Sequence, residues 1–233
     1  MPSILTEKEK SMKRILHLLA LSLVGCSPTN NIGLINAQKC NAGIFTNCLN
    51  SPSFVQKDDS LLIQSGSKTD FFNSPDDGAR ASNAPLLLKE VDNASPFTFS
   101  AKVMPEFNST YDAGAIYLFF DNSLWQKFAF ELDERGVTRI VTVRTNNTSD
   151  DNNHDAIKSK EVFLKISSDG KKVGFFYSVD GQVWQLARLY KNNFPQKIYI
   201  ALSAQSPTGD GNAVLFKDIQ LTKHSITNFR TGI

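Results

Sequence analysis

From residue 57 to residue 221 the chain is a succession of short runs rich in β-branched and aromatic residues, closed by Gly, Asn, Asp or Pro. No stretch keeps a 3.6-residue apolar period for three turns, so helices do not organise it. The spacing predicts strands over 60–65, 69–73, 85–91, 96–104, 113–121, 124–132, 137–145, 159–167, 172–179, 182–190, 197–206 and 211–221. Asp121-Asn122-Ser123 and Glu134-Arg135-Gly136 read as turns between strands. Ser168-Asp169-Gly170 and Asp180-Gly181 read as hairpin turns in which Gly supplies a positive φ. So many strands do not lie in one flat sheet; they stack to bury their apolar faces. The expected fold is an all-β, jelly-roll β-sandwich of two antiparallel sheets. With 41% hydrophobic residues the chain can fill such a core.

The first 25 residues read as a processing segment. Lys13 and Arg14 precede the apolar run Ile15-Leu16-His17-Leu18-Leu19-Ala20-Leu21-Ser22-Leu23-Val24. The run is shorter than the about 20 residues a membrane-spanning helix needs. It fits the apolar region of a signal peptide, with either Met1 or Met12 as the start. Leu23-Val24-Gly25-Cys26 resembles the bacterial lipobox, which makes Cys26 the expected lipidation site and mature N-terminus. The expected place is then the cell envelope, anchored in the membrane by lipid. Ser27 after the Cys favours the outer membrane in a diderm host. Residues 26–56, rich in Ser, Asn, Pro and Gly, read as the lipidated Cys, a tether and a lead-in to the sandwich at 57–222, with 223–233 as a tail. In an exported chain Cys40 and Cys48 are expected as a disulfide, with free thiols as the alternative.

Charge narrows the partners. Residues 1–25 hold four basic and two acidic side chains, and the chain beyond them is balanced at 21 of each. That argues against a nucleic-acid partner, which needs a concentrated basic face. Three His and three Cys in the whole chain argue against a zinc or haem site.

Alternation assigns faces. In Phe97-Thr98-Phe99-Ser100-Ala101-Lys102-Val103 the odd positions are apolar. In the 124–132 strand Phe128 and Phe130 share one face, while Trp125, Lys127, Ala129 and Glu131 share the other. A face mixing Trp, Lys and Glu is not an ordinary core face. These strands, in order, carry a resemblance. The series runs through Thr69-Asp70-Phe71-Phe72, Pro96–Val103, Tyr111-Asp112-Ala113-Gly114-Ala115-Ile116-Tyr117 and Trp125–Glu131. It ends in Tyr177-Ser178-Val179-Asp180-Gly181-Gln182-Val183-Trp184 and Ala204-Gln205-Ser206-Pro207 with Gly211 and Phe216. The set resembles the uncharacterised concanavalin A-like family of the "regulation of enolase" type, and is similar to the concanavalin A-like domain at the C-terminus of β-xylosidases. The resemblance implies a concanavalin A-like sandwich over residues 57–222. Family members usually carry Trp at the position of Phe72 and Ser-Asp-Trp-Ser where this chain has residues 147–153, so two aromatic positions differ.

The candidate ligand site is Tyr117, Trp125, Lys127 and Glu131 on the concave sheet, with Asp112 and Arg188 as outlying members. An aromatic face can stack on a pyranose while charged groups take its hydroxyls; the plain alternative is an ion pair packed over a Trp. Glu131-Leu132-Asp133-Glu134 is similar to the acidic strand of laminarinase-type glycosidases, but the third acidic position is Arg135 or Gly136. No catalytic residue is assigned. The polar stretch Asp150-Asp151-Asn152-Asn153-His154-Asp155 reads as a solvated loop, with Ca²⁺ binding the disfavoured alternative, so neither metal nor cofactor is expected. Trp184 reads as a packing residue at a sheet edge, with Arg188 placed to stack on it. The expected function is a non-catalytic module binding carbohydrate or another polar ligand. The alternatives are a glycan-active enzyme and an envelope protein–protein interaction module.

Overall fold

Period-two alternation runs through the longest strands and decides which side chains meet between the sheets. The computed structural model describes residues 37–233. The expected signal at 1–25, Cys26 and the first part of the tether lie outside the described residues. Within them every regular element is a strand. Four short strands come first: β1 (Gln38–Ala42), β2 (Phe45–Leu49), β3 (Ser53–Lys57) and β4 (Ser60–Gln64). A small hairpin follows, β5 (Phe71–Asn73) and β6 (Arg80–Ser82). Then come β7 (Leu86–Asp92), β8 (Phe97–Pro105), β9 (Ala113–Phe119), β10 (Leu124–Leu132), β11 (Thr138–Asn146) and β12 (Thr148–Ala156). The chain continues through β13 (Val162–Ser168), β14 (Lys172–Ser178), β15 (Gln185–Lys191), β16 (Lys197–Gln205) and β17 (Ala213–Thr222).

Two antiparallel sheets pack as a sandwich. The eight-stranded sheet has the order β1-β2-β7-β16-β9-β10-β11-β12, and the seven-stranded sheet the order β15-β14-β13-β8-β17-β4-β3. The core lies between them. Phe99, Ala101 and Val103 of β8 face Ile116 and Leu118 of β9 and Phe128 and Phe130 of β10, all buried. Phe128 stacks on Phe175 of the opposite sheet at 5.0 Å between ring centroids. A side chain at Gly114 would meet Val103 and Val214 at 2.5 and 2.6 Å, so this position admits only hydrogen. Gly170 and Gly181 turn their hairpins at φ +84° and +74°, where other residues are strained.

Three stretches depart from expectation. Residues 38–56, read as tether and lead-in, form β1, β2 and most of β3. Their sequences are mostly polar, and the order comes from partners: β2 pairs with β7 and β3 with β4. Cys40 and Cys48 are joined as a disulfide across the β1–β2 hairpin. The polar stretch 150–155 is not a loop. It lies within β12, the edge strand against β11, where an all-polar sequence hides the alternation and charged residues guard the open edge. Residues 223–233 fold back on the seven-stranded sheet: Phe229 is buried near Phe176, and the Gly232 carbonyl accepts from Lys165 Nζ at 3.0 Å.

Candidate functional site

The outer face of the eight-stranded sheet, turned away from the core, carries the expected residues. Antiparallel register places Tyr117 opposite Lys127, Lys127 opposite Val143, and Val143 opposite Asp151, one row across four strands. Trp125 and Glu131 lie to either side on β10. The β5–β6 hairpin lies over this face. Phe71 meets Phe119, Trp125 and Tyr117 edge to face at 5.5, 5.8 and 6.1 Å. One end of the flap is held by a bridge between Thr69 and Ser206. At the other, the Asn73 amide donates to Ser149 Oγ at 2.9 Å, and its side chain donates to the Asn122 and Asn147 carbonyls.

The flap divides the expected site. Trp125 and Tyr117 are fully buried, with the Tyr117 hydroxyl donating to Gln205 Oε1 at 2.8 Å. Neither ring is open to stack on a ligand, which corrects the sequence reading: alternation names a face but not what covers it. Lys127 and Glu131 stay together beyond the flap, in a cleft of about 300 Å³. Its walls include Asp70 and Phe72 from the flap, Tyr111 and Glu134 from loops, and Val141, Val143, Asp151 and Asn153 from β11 and β12.

Lys127 Nζ donates to Asp70 Oδ1 at 3.0 Å and to the Phe71 carbonyl at 3.1 Å. Burial works against its charge, but Asp70 and Glu131 outweigh burial and raise its pKa. Glu131 is the opposite case. Burial, against the pull of Lys127 and with the charges of Asp70 and Asp151 adding to it, pushes its carboxyl from 4.5 up to about 8. The floor of the cleft is thus an ammonium beside a carboxylic acid that keeps its proton at neutral pH. Burial likewise raises the Asp151 carboxyl.

Asp112 sits outside the cleft and holds its rim. Its side chain is buried and accepts from the amides of Asn108 and Ser109, both at 2.8 Å, and from Ser206 Oγ at 2.6 Å. The neighbouring Tyr111 is held at φ +68°, a conformation that costs a bulky residue energy, with its ring partly exposed at the cleft mouth. Asp112 therefore orders the loop that carries Tyr111 and does not itself line the cleft. Arg188 is also elsewhere. It lies on β15 of the other sheet, 3.7 Å from Asp150, and the cation over the Trp184 ring is Lys165, at 3.4 Å. Asp133, the middle acid of the glycosidase-like stretch, is consumed by its turn: it accepts from the amides of Arg135 and Val137 and from Arg139 Nε at 2.7 Å. Among the described residues no group of three or more His, Cys, Asp and Glu is placed to hold a metal.

Sequence reasoning missed Asp70, Tyr111 and Asp151 as site residues. Asp70 and Tyr111 belonged to the motifs of the resemblance, and Asp151 to the polar stretch, but nothing in the spacing joined them to Lys127.

Residues 48–224 match the family described as DUF1349, protein of unknown function. The chain belongs to that family. Another protein similar to this DUF1349 chain is "Regulation of enolase protein 1" of Saccharomyces cerevisiae, 25% identical over 178 residues, spanning 75% of this chain and 87% of the relative. A crystal structure of a functionally unknown S. cerevisiae protein superposes with a TM-score of 0.70 and 25% identity, over 76% of this chain and 95% of that one. A GH43 protein of a Bacteroides ovatus xyloglucan locus superposes with a TM-score of 0.56 at 13% identity, over 79% of this chain but 38% of its own. That likeness places the DUF1349 sandwich in the same fold as part of the larger protein.

Proposed function

We propose that the protein is a carbohydrate-binding module that holds its ligand in the outer-face cleft, anchored in the cell envelope through lipid on Cys26. The observation that carries the reading is an open cleft lined by Lys127, Glu131, Asp70 and Asp151, in which Lys127 donates to Asp70 at 3.0 Å and burial raises the Glu131 carboxyl. Carboxylates accept strongly from hydroxyl donors and an ammonium donates to their oxygens, a complement to a polyhydroxylated ring. Phe72 and Tyr111 supply apolar walls for its C–H face.

The test is retention on a glycan array with the purified protein. Wild type retains a subset of saccharides, and Lys127→Met loses them while still unfolding cooperatively. An array that retains nothing contradicts the proposal.

A second reading is favoured by one observation. A carboxyl that burial pushes up to about 8, in a cleft shared with Asp70 and Asp151, has the character of a general acid, so Glu131 suits a glycan-cleaving enzyme as well. Reducing-sugar release from the retained glycans, abolished by Glu131→Gln, distinguishes it from simple binding.

A further inference from the structure

A second polar site lies inside the sandwich, on the face opposite the cleft. Register places Gln126, Arg144 and Asp150 in one row across β10, β11 and β12. Gln126 and Arg144 are on the same face as Phe128 and Phe130, where apolar residues are the rule, and Asp150 lies at the exposed edge of the row. Gln126 is 5% exposed, and its Oε1 is buried with no hydrogen-bond partner. Arg144 Nε is buried with none either, and among the described residues its guanidinium has no ion-pair partner. Asp150, its neighbour across the strands, turns to Arg188 instead, at 3.7 Å. The Tyr190 ring from β15 lies under the Arg144 guanidinium, 5.0 Å from centroid to Cζ, and fixes its plane. Gln126, Arg144 and Asp150 line a pocket of about 180 Å³ together with Lys191 at the end of β15 and Asn193 and Phe194 of the loop that follows it.

Buried polar groups are almost always satisfied, and two unsatisfied ones on adjacent strands, both on residues that line one pocket, mark a place for a ligand. Arg144, Arg188 and Lys191 against Asp150 leave this end of the sandwich positive. A guanidinium backed by an aromatic ring and free at its edge is built to take an oxyanion through paired N–H donors. We propose that this pocket binds an oxyanion, a carboxylate or a phosphate group, carried next to a hydroxyl. Arg144 receives the anion and Gln126 Oε1 accepts from the hydroxyl. The site is separate from the outer-face cleft and does not depend on it.

The test follows the Arg144 Nε–H resonance of the whole protein by NMR, assigned from the spectrum of Arg144→Gln, during titration with glucuronate, inorganic phosphate and glucose. A saturating shift with glucuronate or phosphate, absent with glucose, supports the proposal, and the tighter of the two identifies the carrier as carboxylate or phosphate. No saturating shift with either anion, or an equal response to glucose, overturns it. Arg144→Gln is expected to weaken binding of the tighter anion about tenfold, as loss of a charge-assisted contact does; unchanged affinity in the folded variant overturns the assignment. Asp150→Asn, at a mostly exposed side chain, removes the local negative charge and is expected to tighten anion binding severalfold. A misfolded protein cannot mimic that gain, and its absence counts against the site.

Discussion

Lys127 and Glu131 lie two pleats apart on one strand, yet burial leaves one charged and the other neutral at pH 7. The difference is the salt bridge. Asp70 reaches Lys127 directly, while Glu131 shares that cation with other acids. The sign of the consequence is fixed. An acid whose folded-state pKa lies above its unfolded value makes the folded protein the better proton binder between the two. This group's contribution to stability is greatest below 4.5, falls as pH rises and is fully lost above about 8. Glu131→Gln removes the titration. Chemical unfolding of the variant and wild type across this range is expected to show a difference that moves in favour of the variant as pH rises. A difference independent of pH would mean that Glu131 titrates normally.

At the scale of elements, the β5–β6 hairpin turns a broad aromatic face into a narrow cleft. Phe71 does this with three edge-to-face contacts. Phe71→Ala is expected to cost about 3–5 kcal/mol, as truncation of a buried aromatic does. In a Trp184→Phe background, where Trp125 is the one remaining Trp, the same change is expected to shift the emission of Trp125 to the red as water reaches the ring. Unchanged emission would mean that the flap covers Trp125 without Phe71. This element also marks where the sequence stopped being legible. The strands from β7 to β11 and from β13 to β17 were readable because Val, Ile, Phe and Tyr alternate with polar residues. The pairing of Lys127 with Glu131 on one face followed from the same alternation. β1, β3 and β12 were not readable, because Gln38–Ala42, Ser53–Lys57 and Thr148–Ala156 gain their order from a neighbouring strand and carry little hydrophobic signal. The burial of Trp125 was invisible for a different reason: it depends on a residue 54 positions away, Phe71, folding over a face that Trp125 only helps to form.

At the scale of the whole molecule, the sandwich presents two polar sites of different character on opposite faces of one sheet. The acid-rich cleft opens outward, and the cation-rich pocket lies between the sheets. A balanced net charge beyond residue 25 is consistent with recognition by local groups over long-range attraction. Cys26→Ser is expected to abolish palmitate incorporation and to release the protein from the membrane fraction, since serine lacks the thiol that accepts the lipid. Equal labelling of the variant would remove the proposed anchor. The central claim is that the outer-face cleft takes the ligand, and calorimetric titration of an array-selected saccharide into wild type and Tyr111→Ala tests it most directly. Tyr111 stands partly exposed at the mouth, so its loss is expected to weaken binding about tenfold or more while the melting temperature stays close to that of wild type. Equal affinity in the two proteins would place the ligand somewhere other than this cleft.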